Sequence, residues 1–313
     1  MAAKAKSTYK ITNWREYNES LVQRGSITFW FDEDVVEHWN HPNDEPKVGR
    51  PFTYSDLAIR ALLILRELFR LPYRQTEGLG RSLARLMQAE IPIPDFTSLA
   101  KRAAKLNISL DVADRSGPID VVVDSTGLKV FGEGEWKMRT HGKAKRRTWR
   151  KLHLAVNAET QEIEAEVLTK NSGHDADQVD HLLDQIDAPA KAFYGDGAYD
   201  QWKVYETLAT REMRPIIPPR RNAKIKQHGN SSQPRLPRDE AIRDIRRTGR
   251  KSWKENAGYH RRSLSETAMY RMKCCFGNKL KNRVLENQQT EARLRSRILN
   301  HFVHLGLPQF QWG

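Results

Sequence analysis

Three acidic side chains, far apart in the chain, stand where carboxylates could do chemistry. Asp124 follows the apolar run VVV, and Asp196 sits in YGDGAYD directly after the apolar AFY. Glu266 is the one acid in YHRRSLSETAMYRMK, residues 259–273. A charge placed at or near the end of an otherwise buried strand costs roughly several kcal/mol unless something compensates it, and a metal ion would. For each aspartate the alternative is a turn-former. DSTG resembles the start of a tight turn, and Gly195 and Gly197 would let the backbone turn sharply while leaving room beside Asp196. If the segment from Tyr259 is helical, Arg262, Glu266 and Lys273 fall within about 60° of Tyr259 and share one narrow face. The alternative there is a solvated face of Glu–Arg and Glu–Lys pairs, worth about a few tenths of a kcal/mol each. That alternative leaves the tyrosine unexplained. Taken together, three converging carboxylates could hold two divalent cations about 3.5–4 Å apart and clamp a phosphodiester. Their hard oxygens suit two Mg²⁺ ions, with Mn²⁺ as a substitute.

Such a triad needs elements to carry it. IDVVVDSTGLKV reads as a strand, and RKLHLAVNAETQEIEAEVLT as two strands joined near residues 159–161. SGHDADQVDHLLDQI reads as a helix with Asp175 at its N-cap and Val179, Leu182 and Leu183 inward. KAFYGDGAYD is then a strand ending at a Gly-flanked Asp, followed by a helix, QWKVYETLAT, and a short strand, RPIIPP. A strand meander followed by αβαβ implies an α/β fold with a mixed sheet and helices on its faces. Residues 220–237 read as a basic, proline-containing loop leading to a basic helix at about 238–247, and the tail to about His304 as a basic helix.

Upstream the texture changes. SITFWFDEDVVEHW (26–39) reads as a short aromatic strand running into a helix, and GRPF (49–52) marks a break. Three helices follow. One at about 54–69 has Leu57, Ala61, Leu65 and Leu68 on its stripe, and one at about 74–88 has Leu79, Leu83 and Leu86 inward. The third, 97–106, buries Leu99, Ala103 and Leu106 and gathers Ser98, Lys101, Arg102 and Lys105 on the other face. A short third helix with a basic outer face is the pattern of a helix-turn-helix DNA reader, or simply of a solvated basic face on a small bundle. The expected organisation is therefore an N-terminal arm (1–47), an all-helical DNA-binding domain (48–115), a catalytic domain (116–284) with a small basic insertion at about 220–250, and a basic helical tail (285–313).

The 313 residues carry 53 Lys and Arg against 39 Asp and Glu, a formal charge of +14. That balance points to a polyanionic partner, although a ribosomal or membrane-surface protein would share it. The N-terminus has no apolar signal region, and LAIRALLILRELF is interrupted by Arg60 and Arg66. The only cysteines, Cys274 and Cys275, are adjacent, which suits neither an ordinary disulfide nor a zinc site. A cytoplasmic protein without a membrane partner is expected. His38 and His41 have HxxH spacing but no second ligand pair nearby.

The run Tyr259-x2-Arg262-x3-Glu266-x6-Lys273, preceded by DST (124–126) and YGDGAYD (194–200), resembles the DDE transposases of bacterial insertion sequences. It is most similar to the group whose glutamate lies in a Tyr-Arg-Glu-Lys signature, and the resemblance covers about residues 48–305. It implies a ribonuclease-H-like catalytic domain with Asp124, Asp196 and Glu266 as the metal-binding triad. By the same match Tyr259, Arg262 and Lys273 would contact phosphates. It further implies double-stranded DNA partners (terminal inverted repeats and target) and a homodimer or larger assembly. Only 70 positions separate Asp196 from Glu266, so no large β-rich insertion is expected. The competing readings are another nuclease on the same fold, such as a junction resolvase or repair nuclease, and a non-catalytic DNA-binding protein. Trp136, Trp149, Trp202 and Trp253 lie near basic residues, where a ring could stack on an unpaired base or serve as a core or cation–π partner.

Overall fold

A computed structural model describes residues 9–44, 48–113, 117–130, 149–227 and 234–312. It divides the chain into two compact units, residues 1–107 with 298–313 and residues 108–297. The expected arm and most of the expected helical block (48–107) thus fall in one unit, the last residues of that block (108–115) fall in the other, and the expected tail is divided between the two.

The first unit begins with a short strand, β1 (Tyr9–Ile11), and three helices, α1 (Trp14–Gln23), α2 (Ile27–Trp30) and α3 (Glu33–Glu37). The aromatic segment expected as a strand is therefore helical at Ile27–Trp30. Among the described residues no strand pairs with it, and Trp30 instead buries its ring and donates its Nε1–H to Arg24 O (3.0 Å). Asp32 caps α3 by accepting the Val35 N–H (3.0 Å). Then come α4 (Asp56–Leu68), α5 (Tyr73–Leu86) and α6 (Phe96–Ala103), close to the expected bounds. Ser55 caps α4 and Asp95 caps α6 through the Thr97 and Ser98 N–H groups. Helix α4 buries more than a stripe: Ile59, Leu62, Leu63 and Ile64 are enclosed with Ala61 and Leu65, while Leu57 and Leu68 are half-buried. Leu86, expected inward, is 79% exposed at the last turn of α5.

The second unit is built on one mixed sheet. Its long strand is β2 (Ile119–Val130), followed by β3 (Trp149–Asn157) and β4 (Ile163–Lys170) in an antiparallel meander. Asn157 closes the β3–β4 turn by accepting the Glu159 and Thr160 N–H groups with its side chain. The expected helix after β4 is a 3₁₀ turn, Asp175–Gln178, running into α7 (Val179–Leu183). Its N-cap residue is His174, not Asp175, because the Asp175 carboxylate is drawn to Lys151 and His153 instead. Next are β5 (Ala190–Tyr194), α8 (Trp202–Thr210) and β6 (Arg214–Ile216), with β5 parallel to β2 and β6 parallel to β5. The sheet order is β4-β3-β2-β5-β6.

Strand alternation sends β2 side chains to opposite faces. Val121 and Val123 join Val179, Leu182, Val204 and Leu208 in a core beneath α7 and α8. Val122 points the other way, with Tyr194 and Ile216, toward Tyr259 and Leu264. On that second face lie α9 (Pro237–Thr248), α10 (Arg250–Asn256), a 3₁₀ turn at Tyr259–Arg262 and α11 (Ser263–Phe276), which packs on β2 and β3. Strand β7 (Lys279–Leu280) pairs with the far end of β2. The helix α12 (Leu285–Leu305) spans the unit boundary, and β8 (Phe310–Trp312) pairs antiparallel with β1, so the first unit is not purely helical. No helix among the described residues is long and apolar enough to cross a membrane.

Candidate active site

The parallel register of β2 and β5 brings the two aspartates together. Val122 pairs with Tyr194, the last residue of β5, so Asp124 and Asp196 each stand two residues beyond a matched pair on adjacent strands. Neighbouring strands run about 4.8 Å apart. Because β5 stops at Tyr194 while β2 continues to Val130 along β3, the sheet opens on one side of Asp124. Asp124 is thus a mid-strand residue beside a gap.

Each carboxylate has a local support. Asp124 accepts the Ser125 N–H (2.8 Å) on Oδ1. Asp196 caps the 3₁₀ turn Gly197–Tyr199 by accepting the Ala198 N–H (2.8 Å). Neither flanking glycine has a positive φ. Gly195 is needed for room: a Cβ there would lie 2.9 Å from both the Phe193 and Tyr199 rings. Glu266 projects from the first turn of α11 and is more than half exposed.

Arg262 joins two of the acids. Its Nη1 donates to Asp124 Oδ2 (2.9 Å) and its Nη2 to Glu266 Oε1. Ser265 Oγ also approaches Asp124 Oδ2 (3.5 Å). Burial pushes the Asp124 carboxyl above its ordinary range, the charges of Asp196 and Glu266 push the same way, and the Ser125 N–H and Arg262 oppose them. The Tyr259 hydroxyl is raised by burial and by all three acids, with Arg262 opposing. The three carboxylates therefore share one electrostatic neighbourhood. They are not drawn in as ligands: among the described residues no group of three His, Cys, Asp or Glu is close enough to hold a metal ion. A guanidinium takes the place between Asp124 and Glu266 that a cation would take.

The other signature residues fall on the same side of the sheet. Tyr259 precedes the α-helix, in a 3₁₀ turn entered through Gly258 at φ +67, so the expected continuous helix begins only at Ser263. Lys273 donates its Nζ to Thr126 Oγ1 (2.6 Å), one pleat beyond Asp124.

Two family models describing a transposase DDE domain match the chain, one over residues 22–133 and the other over residues 115–301, more than half of its length. The chain belongs to the DDE transposases. A cryo-EM structure of a piggyBac transposase synaptic complex with hairpin DNA is also similar, at 9% identity and a TM-score of 0.39, covering 97% of this chain and 80% of that one. A likeness so shallow says nothing about individual residues. DDE transposase domains typically use divalent metal ions. The donors here are right in kind, three hard carboxylates, and would serve once Arg262 withdraws.

Some of the residues expected to touch DNA in this transposase make contacts within the protein. On α6, Ser98 donates Oγ–H to Asp95 (2.9 Å), and Arg102 donates to Tyr54 O (3.0 Å) and to Asp56. Lys101 and Lys105 remain exposed. In the basic tail, Arg293 donates to Ile108 O (3.0 Å), Arg295 to Glu291 and Lys279 O, and Arg297 to Ser109 O (2.9 Å). Trp149 lies under Lys129, and Trp202 under Lys226 and Arg238, as cation–π partners. Trp253 is buried near the Tyr259 ring, and Trp136 lies outside the described residues.

Sequence reasoning missed the supports. Asp200, four residues beyond Asp196, takes Arg238 Nε (2.6 Å), the Arg220 N–H (2.9 Å) and the Tyr205 hydroxyl (3.2 Å), tying α9 and the segment before it to the loop that carries Asp196. Asp239, fully enclosed, accepts the Lys226 and Gln227 N–H groups.

Proposed function

We propose that this DDE transposase binds the terminal inverted repeats of a bacterial insertion sequence, cleaves at the element ends and joins the freed 3′-hydroxyl to target DNA. The catalytic unit is ribonuclease-H-like, a reading supported by the strand order β4-β3-β2-β5-β6 with its antiparallel meander and two parallel strands. Asp124, Asp196 and Glu266 hold two Mg²⁺ ions, for which Mn²⁺ substitutes. Divalent cations held there would supply activation of an attacking oxygen and charge stabilisation at a departing one. The observation that supports this reading is the Val122–Tyr194 register, which leaves Asp124 and Asp196 each two residues beyond a matched pair on adjacent strands.

The chain's own residues then have separate tasks. Arg262 neutralises Asp124 and Glu266 until they ligate, and its freed guanidinium, with five fixed donors, binds a phosphate of the element end. Lys273 and Tyr259, half-buried on the same side, line the DNA backbone beside it. In the helical block, Lys101 and Lys105 meet phosphates while Ser98 and Arg102 hold α6 in place. The working form is a cytoplasmic homodimer, or a larger assembly, on DNA.

The test is Asp124→Asn on an end-containing duplex with Mg²⁺. Cleavage is lost and end binding is retained. Normal cleavage by this variant removes Asp124 from the triad. Wild-type protein offered a pre-cut end and a target plasmid joins them, whereas hydrolysis without joining marks a plain nuclease of the same fold.

A further inference from the structure

Two adjacent arginines leave the 3₁₀ turn Tyr259–Arg262 in different directions, because successive side chains of such a turn point about 120° apart. Both land on acids of one strand. Arg262 Nη1 reaches Asp124, and Arg261 Nη1 donates to Asp120 Oδ2. Asp120, Val122 and Asp124 alternate onto the same face of β2, the one against which Tyr259 and Leu264 pack. Four residues at about 3.3 Å each put the two acids about 13 Å apart along the strand. The turn is therefore fastened at one acid of the proposed chemistry and at one outside it.

Asp120 has a second donor. The hydroxyl of buried Tyr194, on the neighbouring strand β5, reaches the same Oδ2 (3.4 Å). The chain enters the turn beside that hydroxyl: Gly258 has φ +67, and a Cβ there would lie 4.0 Å from the Tyr194 oxygen. Tyr259 follows, half-buried against Tyr194 and Val122. In the ion pair itself Asp120 is 15% exposed and Arg261 44%. A pair so open on one side adds little to folding stability. Its loss reports on where the turn sits rather than on whether the chain folds.

Arg262 must leave Asp124 and Glu266 if those acids are to ligate a metal, and the turn then gives up its tie to the middle of β2. The Arg261–Asp120 tie depends on neither metal nor DNA. We propose that Asp120 is a positioning residue for the phosphate grip: through Arg261 it holds the turn bearing Tyr259 and Arg262 against β2 while the Arg262 guanidinium is released. This rests on the reading that Arg262 binds a phosphate of the element end. The contrasting role is a parked contact, in which Asp120 competes with DNA for the Arg261 guanidinium. The two roles give Asp120 opposite signs.

The experiment compares Asp120→Ala, Asp120→Asn, Arg261→Gln, the Asp120→Ala/Arg261→Gln double variant and Arg262→Gln in the full chain. Each is titrated onto a pre-cut end duplex with Mg²⁺, and its melting temperature is measured. Removing the Asp120 charge would, through the field alone, tighten binding to DNA. Positioning gives the reverse. Asp120→Ala and Arg261→Gln each weaken end binding about tenfold, the double variant is no worse than either single, and melting temperatures stay close to wild type. The isosteric Asp120→Asn keeps the sign readable if Asp120→Ala folds poorly. Unchanged or tighter end binding by a folded Asp120 variant, beside an Arg262→Gln that binds weakly, overturns the positioning role alone. Wild-type end binding by Arg262→Gln overturns the phosphate reading and this inference together.

Discussion

Asp196 and Asp200 lie four residues apart in one loop and do opposite things. Asp200 is buried and saturated, with Arg238, the Arg220 N–H and the Tyr205 hydroxyl on its two oxygens. Asp196 is half-buried, with one fixed donor, the Ala198 N–H. A carboxylate whose lone pairs are filled by protein donors is a structural tie, whereas one left with open lone pairs and like charges nearby is placed to take a cation. Asp124 and Glu266 belong with Asp196, since one arginine side chain bridges them and their remaining donors are few: the Ser125 N–H and the Ser265 hydroxyl on Asp124.

Asp196→Asn and Asp200→Ala separate the two kinds of acid most sharply. Asp196→Asn lowers the cleavage rate by about a thousandfold or more, the scale of losing several kcal/mol of charge stabilisation. Its melting temperature stays close to wild type. Asp200→Ala strands a guanidinium that is 12% exposed and costs about 3–5 kcal/mol of stability. Cleavage per folded molecule changes far less. Equal loss of rate at equal stability in both variants would erase the distinction.

Glu166 extends the comparison to an acid that is buried and poorly paired. Burial lifts its carboxyl to about 7, and Arg293, 3.8 Å away, only partly opposes this. A folded pKa above the unfolded 4.5 means the folded state favours the protonated form. That contribution is fully present below about pH 4.5 and is lost as pH rises through 7, a change of about 3 kcal/mol. Asp200 has the opposite sign: its donors outweigh burial and hold its carboxyl low, so its contribution is lost as pH falls below the ordinary carboxylate range. Denaturant melts between pH 5 and 8 test this. Glu166→Gln flattens the fall toward alkaline pH, and an unchanged slope would place the pH dependence elsewhere.

The acids proposed to carry chemistry could be singled out in the sequence because their signals are local. Asp124 follows an apolar run inside β2, Asp196 stands just past the end of β5, and the Tyr259–Lys273 spacing survives the change from 3₁₀ turn to α-helix. What was not legible depends on partners distant in the chain. Nothing near Arg293, Arg295 or Arg297 says that they are turned inward, and nothing near Asp175 says that Lys151 and His153, more than twenty residues earlier, will claim it. ITFW has strand-forming residues, but among the described residues no strand pairs with it, and propensity yields. Arg262 between two acids follows from i,i+4 spacing to Glu266, whereas its reach to Asp124 needed the fold.

The smallest expected effect concerns free and committed cations, the counterpart of the two aspartates. On α6, Lys101 and Lys105 are exposed, while Arg102 is 15% exposed and spent on Asp56 and Tyr54 O, with the Phe52 ring beneath its guanidinium. If α6 meets DNA, each lysine neutralises about one phosphate, and its removal lowers the slope of log K against log salt by about 0.9. Lys101→Ala with Lys105→Ala therefore reduces the slope by about 1.8 without touching the fold. Arg102→Ala acts through the bundle instead, lowering stability because α6 loses its tie to the start of α4, and leaves the slope unchanged at temperatures where the variant is folded. Titrating end binding from low to moderate salt distinguishes them. A slope lowered by Arg102→Ala and untouched by the lysine pair would reverse the assignment and make the partly enclosed arginine the DNA contact.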